Sequence, residues 1–440
     1  MLDLPRCAGH AGTGIGKTSS TLAALDTLLL AGESRKVLVL GPKRVAQDTW
    51  TDEAAKWVQF QDLRFSRIMG TPAERVAGLR ANADIYLMNY EQLPWLVDRL
   101  GGDWPFDTVV ADESTKLKGF RLNQGAQRTR ALGKVAHRHV RRFIELTGTP
   151  APNGLVDLWP QLWFVDGGKR LGRTFTAFTE RWFTTGRDGF SLQPLPHAFD
   201  EISALIGDVC VSIQAKDYFD IREPVVSNIE VHLPPKALTQ YKEMEREMFL
   251  EIANTGVEAF NAASRTIKCL QLASGTILLD DKGKWVEVHR AKIEALESII
   301  EEAAGMPVLV SYSFVADRER LLAHFKGAVD LATPEGMRKF KAGQAPVGIG
   351  HPASIGHGID GLQLVTNIIV FFSSDYNLEN RQQIIERIGP TRQFQAGLDR
   401  PTFVYNLIAR GTLDDMVLAR VETKREVQDL LMDRLKGEQR

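Results

Sequence analysis

The run Ala11-Gly12-Thr13-Gly14-Ile15-Gly16-Lys17-Thr18 places glycines, an ammonium and a hydroxyl in close succession. Glycines at this spacing let backbone N–H groups converge on an anion. Lys17 would then meet the outer phosphates of a nucleotide, and the Thr18 hydroxyl would hold Mg²⁺ at the start of a helix whose dipole favours negative charge. Ala11 stands where the commoner pattern has its first glycine. Further along, Val109-Val110-Ala111-Asp112-Glu113 ends an apolar run in two carboxylates. In a phosphoryl-transfer site Asp112 would bind the Mg²⁺ shell, and Glu113 would orient and polarise the attacking water. A third segment, Leu146-Thr147-Gly148-Thr149-Pro150, follows another apolar run. It reads either as a polar turn or as a place where the hydroxyls of Thr147 and Thr149 couple the nucleotide to a neighbouring lobe.

These groups need a scaffold that brings loop ends together, and the sequence supplies one. Short apolar, β-branched runs alternate with stretches of helical period, the signature of parallel α/β units. Strands are expected at Lys36–Leu40, Asp84–Met88, Thr108–Ala111 and Phe143–Leu146, and again at Pro307–Ser311, Val347–Gly350, Asn367–Phe372 and Thr402–Leu407. Each ends in a polar or glycine-containing turn, where an open α/β sheet places its ligands. The segment before the loop, Leu4–His10, is thin as a strand, with a proline, a glycine and few branched residues. Between the two α/β regions the chain turns helical, and Leu238, Tyr241, Met244, Met248 and Ile252 recur at helical spacing, a pattern of core packing. The expected division is residues 1–158, a helical insertion over 159–222, and 223–440 with a helical protrusion at about 235–280; the charged tail 422–440 reads as an amphipathic helix.

Length and composition allow two or three domains with real cores: 440 residues, 44% hydrophobic and 25% charged. No apolar run is long enough to span a bilayer, no basic-then-apolar leader opens the chain, and the scattered Cys7, Cys210 and Cys269 form no zinc or disulfide pattern. That combination points to the cytoplasm. His351 and His357 have no carboxylate or cysteine beside them, so a metal pair is not expected there. The net charge of −1 leaves any nucleic-acid surface to local clustering. One cluster exists: Lys116, Lys118, Arg121, Arg128, Arg130, Lys134, Arg138, Arg141 and Arg142 occur without an intervening acid. It is either a solvated helix face or a surface that tracks phosphates.

Taken in order, AGTGIGKT, VVADES and LTGTPAPN resemble the first lobe of a helicase superfamily two ATPase, in particular the Swi/Snf-type, DEAD/DEAH-box-related branch, and its compact phage or bacterial members. The resemblance implies a P-loop NTPase with two RecA-like parallel-sheet α/β lobes carrying helical insertions, ATP and Mg²⁺ as cofactors, and DNA, duplex or branched, as partner. It assigns nucleic-acid backbone contacts to Pro42, Lys43 and Trp50 in LVLGPKRVAQDTW, to Asn89 and Tyr90 in MNYEQL, and to Ser311 in PVLVSYSF. In GIGHPASIGHGIDGLQ, Gly358 and Asp360 would bridge nucleic acid and nucleotide; in QQIIERIGPTRQ, Gln383 would couple the lobes and Arg387 and Arg392 would supply the arginine finger.

The implied activity is an ATP-driven DNA translocase or remodeller. Two other readings stay open: a strand-separating DNA or RNA helicase, and a nucleotide-regulated binding protein that hydrolyses poorly. The last motif usually carries two arginines three apart, yet the residue three after Arg387 is Pro390, so the finger is Arg392 or Arg387 alone. The family's adenine-reading glutamine segment ahead of the loop finds no counterpart before Ala11, which implies a loop that grips phosphates and reads the base weakly. The Asp112-Glu113-Ser114-Thr115 run also lacks the usual Ala-His or Ala-Asp ending.

Overall fold

The computed structural model describes residues 1–12, 14–186, 192–218, 220–255, 259–279, 284–356, 359–374 and 377–437. The chain divides into two compact units, Met1–Phe219 with Lys424–Arg440, and Asp220–Thr423.

The first unit is built on strands β1 (Arg6–Ala11), β2 (Val37–Gly41), β3 (Phe65–Arg67), β4 (Ile85–Asn89), β5 (Thr108–Asp112) and β6 (Arg142–Thr147); a small antiparallel hairpin, β7 (Phe183–Thr185) and β8 (Leu192–Pro194), precedes β9 (Cys210–Ile213). Apart from the hairpin, these strands form one sheet in the order β3-β4-β2-β5-β6-β1-β9, with every ladder parallel. Strands β2, β4, β5 and β6 are buried along their whole length, as expected of a parallel sheet covered on both faces. The period-two alternation shows in where the side chains go. Leu38 and Leu40 enter one core with Tyr86, Met88, Val109 and Phe143, while Val37 and Val39 enter the other with Ile85, Leu87, Val110 and Ile144.

The register sets the site. His10 of β1 lies opposite Thr147 of β6, and Asp112 of β5 opposite Leu146, so the carboxyl ends of β1, β5 and β6 are level.

The second unit holds β10 (Val225–Val231), a two-stranded pair β11 (Thr276–Leu278) and β12 (Trp285–Glu287), then β13 (Val308–Ser311), β14 (Val329–Asp330), β15 (Val347–Gly350), β16 (Ile368–Phe371) and β17 (Phe403–Ala409). Its main sheet runs β10-β17-β16-β13-β15-β14, again parallel throughout. The same two-faced packing recurs, with Val308, Val310, Ile349 and Val370 on one side and Leu309, Ile369 and Phe371 on the other. Lys292 and Asp414, both fully buried, form an ion pair at 2.6 Å in its core.

Several expectations change. The thin segment before the loop is a six-residue strand inside the sheet, paired on both sides, and its small residues let β6 approach: a methyl on Gly9 would lie 3.3 Å from Leu146. Residues 159–222, expected as a helical insertion, carry helices Phe175–Trp182 and Ala198–Ile206 but also β9, which completes the first sheet beside β1. Strand β10 is likewise absent from the sequence reading, since five of its residues are polar or exposed and only Val231 is buried. Helices Pro235–Thr255 and Ala259–Ser274 fall within residues 235–280; Tyr241 is fully buried and Leu238 and Met244 pack against the same core, while the side chains of Met248 and Ile252 lie outside the described residues. The final helix starts earlier than the charged tail, at Leu413, and runs to Gly437.

Candidate active site

Strand β1 delivers the chain to the loop, and helix Lys17–Leu30 begins directly after it. Gly14 (φ 85°) and Gly16 (φ 79°) occupy left-handed backbone that other residues adopt only with strain. Ala11 is the last residue of β1, paired with Ile213, so the position needs no glycine. Gly12 has no positive φ and lies beside the Ile15 side chain; Thr13 lies outside the described residues. The Lys17 ammonium donates to the carbonyls of Ala11 at 2.5 Å and Gly12 at 3.0 Å, which folds it over the loop. Thr18 follows in the first turn, where helix N–H groups are free of intrahelical partners.

At the end of β5 the two carboxylates part. Asp112 is 9% exposed, and its Oδ2 accepts the indole N–H of Trp50 at 2.9 Å. Burial pushes its carboxyl up from the ordinary value, against the pull of the Trp50 bond and the charge of Lys17. Glu113 sits at φ 60°, ψ 60°, a left-handed conformation that costs a non-glycine residue on the order of 1–2 kcal/mol. The turn swings its side chain toward β6, where Thr147 donates to Oε1 at 3.1 Å and Thr115 at 3.4 Å.

The Thr147 hydroxyl is used twice, since it also accepts the Thr149 N–H at 3.0 Å. Between them, a methyl on Gly148 would come within 3.4 Å of the Ala11 carbonyl and 3.8 Å of the Lys17 ammonium. Loop, carboxylates and threonine turn therefore converge on one spot. Thr149 is buried, and its hydroxyl has no hydrogen-bond partner among the described residues. Beneath the loop, burial lowers His10 to about 4, leaving a neutral imidazole.

The nucleic-acid assignments fare differently. Trp50 is 0% exposed and Tyr90 1%, and the Tyr90 hydroxyl donates to the Asp112 carbonyl at 3.0 Å. Both aromatics stand behind Asp112 rather than on a nucleic-acid face, because their large side chains gain most from burial while their polar atoms find partners there. Asn89 is buried and bonded to Glu91 at 2.8 Å, and Ser311 is buried at the end of β13. Pro42 is half-buried and Lys43 exposed after β2, which leaves Lys43 accessible to a ligand. The sequence signal for the Trp50–Asp112 pair was an aromatic with an N–H in the first helix after β2; nothing local pointed it at β5.

In the second unit, Arg387 lies in helix Leu378–Ile388 and donates to the carbonyls of Gly356 (3.0 and 2.7 Å) and Ile359 (3.1 Å). Pro390 opens a separate helix, Pro390–Gln395, which turns Arg392 onto Asp360 at 2.9 Å. Three residues before Arg387 stands Ile384, fully buried, so neither neighbour at that spacing is a second arginine. Gln383 is buried beside Gly356, and neither atom of its amide has a partner among the described residues. Gly358 lies outside the described residues.

Residues 11–273 match the SNF2-related domain family. The chain belongs to that family. It is 50% identical to protein p41 of Acyrthosiphon pisum secondary endosymbiont phage 1 over 99% of this chain and 96% of that protein. It is 22% identical to the DNA repair and recombination protein RAD54-like of Gallus gallus over 96% of this chain and 63% of the relative's length. Among solved structures it is similar to the Sulfolobus solfataricus SWI2/SNF2 ATPase core in complex with dsDNA, at 22% identity, covering 97% of this chain and 89% of that one with a TM-score of 0.43. As an SNF2-family ATPase core, the chain is a user of ATP. Among the described residues of this SNF2-related chain, no helix is long and apolar enough to cross a membrane.

Proposed function

We propose that this chain is a magnesium- and ATP-dependent DNA motor, a translocase or remodeller that works on duplex or branched DNA in a host cytoplasm. The observation that carries the reading is the meeting of Lys17, Asp112, Glu113 and Thr147 at the level ends of β1, β5 and β6. The names of relatives in DNA repair and recombination support the choice of DNA.

The donor set fits a magnesium nucleotide. Positive-φ glycines and helix N–H groups suit phosphate oxygens, and the Thr18 hydroxyl with the Asp112 carboxylate are hard oxygen donors that would hold Mg²⁺. When bound, the magnesium nucleotide supplies the phosphoanhydride and the charge that screens it. Lys17 leaves its loop carbonyls to meet phosphate oxygens. Glu113, turned by its left-handed backbone and held by Thr147, orients the attacking water and takes its proton. Thr147 thus carries the state of Glu113 to the Thr149 turn. Either Arg392 or Arg387 alone would supply the finger charge, with Asp360 bridging nucleic acid and nucleotide and Gln383 coupling the lobes.

The test is ATP hydrolysis with and without duplex DNA. Stimulated turnover that Lys17→Ala and Glu113→Gln each abolish is the expected result; equal background rates in all cases would reject the reading. A second reading, a nucleotide-regulated DNA-binding protein with slow turnover, is favoured by one observation: Arg387 is flanked at three-residue spacing by Ile384 and Pro390. Fast DNA-stimulated turnover removes it. A displacement assay on tailed duplexes separates a translocase, which releases no strand, from a strand-separating helicase.

A further inference from the structure

The basic run Lys116–Arg142 loses much of its apparent uniformity once folded. Arg121 stacks on Phe175 at 3.4 Å and donates to the Phe120 carbonyl. Arg128 pairs with Glu91, while Arg141 and Arg142 share Glu33. By contrast, Arg130, Lys134 and Arg138 are exposed with no ion-pair partner among the described residues. Arg130 and Lys134 lie four residues apart on helix Gln127–Ala136 and so share one face, while Arg138 follows in the turn after the helix.

Arg130 and Lys134 border a groove of about 520 Å³ between this helix and helix Leu93–Leu100. Its floor is apolar, made by Phe120, Ala131 and the ring of Trp163. Trp163 is fixed by a tilted ring contact with Phe120 at 4.6 Å and by an edge-on contact with the His137 ring at 4.8 Å. Asn123 and Gln127 are exposed on the rim and offer amides, and Asp98 stands on the far wall.

We propose that this groove docks an extended segment of a partner protein, an acidic peptide with an apolar anchor. The anchor would enter between Trp163 and Ala131, its flanking carboxylates would meet Arg130 and Lys134, and the rim amides would pair with its backbone. A volume of this size suits one or two side chains. A nucleic-acid backbone fits less well, since phosphates gain nothing from the apolar floor, whereas the peptide's anchor does; Asp98 opposes either anion alike. The groove belongs wholly to the first unit, and none of its lining residues has been placed in the ATP site.

The probe is a short fluorescein-labelled peptide with leucine and phenylalanine set between glutamates, compared by anisotropy with the same peptide carrying lysines in place of glutamates, and with labelled duplex DNA. The full chain and the Arg130→Glu/Lys134→Glu variant are both titrated. The expected result is preference for the acidic peptide and a loss of its affinity of roughly tenfold or more in the variant, with DNA affinity and DNA-stimulated ATP hydrolysis unchanged. Equal binding of the two peptides, or an acidic peptide that binds the variant as well as the parent, overturns the proposal. A variant that loses DNA affinity while its peptide binding stays constant overturns it in favour of a nucleic-acid surface. Unchanged hydrolysis in the variant also shows that the chain has folded.

Discussion

Trp50 and Asp112 lie 62 residues apart, on the first helix after β2 and at the end of β5, and join through a buried 2.9 Å indole-to-carboxylate hydrogen bond. With the Tyr90 hydroxyl on the Asp112 carbonyl, this bond fixes the direction of the carboxylate proposed to hold Mg²⁺. Hydrogen bonds to charged groups are worth about 1.5–3 kcal/mol, so Trp50→Phe should lower unfolding stability by about that much. It should also raise the Mg²⁺ concentration needed for tight binding of a fluorescent ATP analogue. A destabilised variant whose Mg²⁺ dependence is unaltered would show that Trp50 serves packing alone.

Glu113 joins a functional side chain to a backbone that suits glycine. Substitution by Gly or by Ala removes the same carboxylate and the same bonds from Thr147 and Thr115, but only Ala keeps the φ 60° strain. Glu113→Gly should therefore be more stable than Glu113→Ala by about 1 kcal/mol, with hydrolysis lost in both. Denaturant midpoints of the pair give the comparison, and equal midpoints would mean that the turn relaxes when the carboxylate is gone.

Arg387 and Arg392 differ in how they are held. Arg387 is tied to backbone carbonyls, whereas Arg392 pairs with an Asp360 side chain that is 63% exposed. Such a partly exposed pair contributes at most about 1 kcal/mol. Arg392→Ala should leave the melting temperature nearly unchanged and reduce DNA-stimulated hydrolysis if Arg392 is the finger; Arg387→Ala should lower stability whatever its role. Full activity in Arg392→Ala leaves Arg387 as the sole candidate.

Asp317 gives the second unit a pH dependence of its own. Burial pushes its carboxyl up to about 7, opposed in part by the nearby Ser373 hydroxyl and by the charges of Arg320 and Lys292, the latter already paired with Asp414. The folded protein thus holds this proton more tightly than the unfolded chain, whose carboxyl ionises near 3.8. The resulting stability is fully present below the unfolded value and is lost as the pH rises through about 7. Asp317→Asn should gain on the parent protein between about pH 5 and about pH 8, as read by urea midpoints. A constant difference across that range would show the carboxyl to be ionised throughout.

What the sequence determined by itself is the chemistry that local spacing carries. Gly14, Gly16, Lys17 and Thr18 must form a loop-to-helix junction, because two of those positions need left-handed backbone and the helix starts at once. Runs such as Val37–Leu40 and Val308–Val310 must be strands covered on both faces, since every residue in them is apolar. Tertiary structure decided which side chains those strands bring together. Trp50 and Tyr90 have the composition of a surface that touches nucleic acid, yet pairing of β2 with β4 and β5 buries them behind Asp112. Strand β9 is short and half-exposed along its length and becomes a strand by pairing with β1. The basic run looks uniform until Glu33, Glu91 and Phe175, distant in sequence, neutralise or cover part of it and leave Arg130 and Lys134 beside a groove. Local pattern fixes backbone conformation, because that depends on neighbours in the chain; burial and charge pairing depend on long-range register, which no single segment encodes.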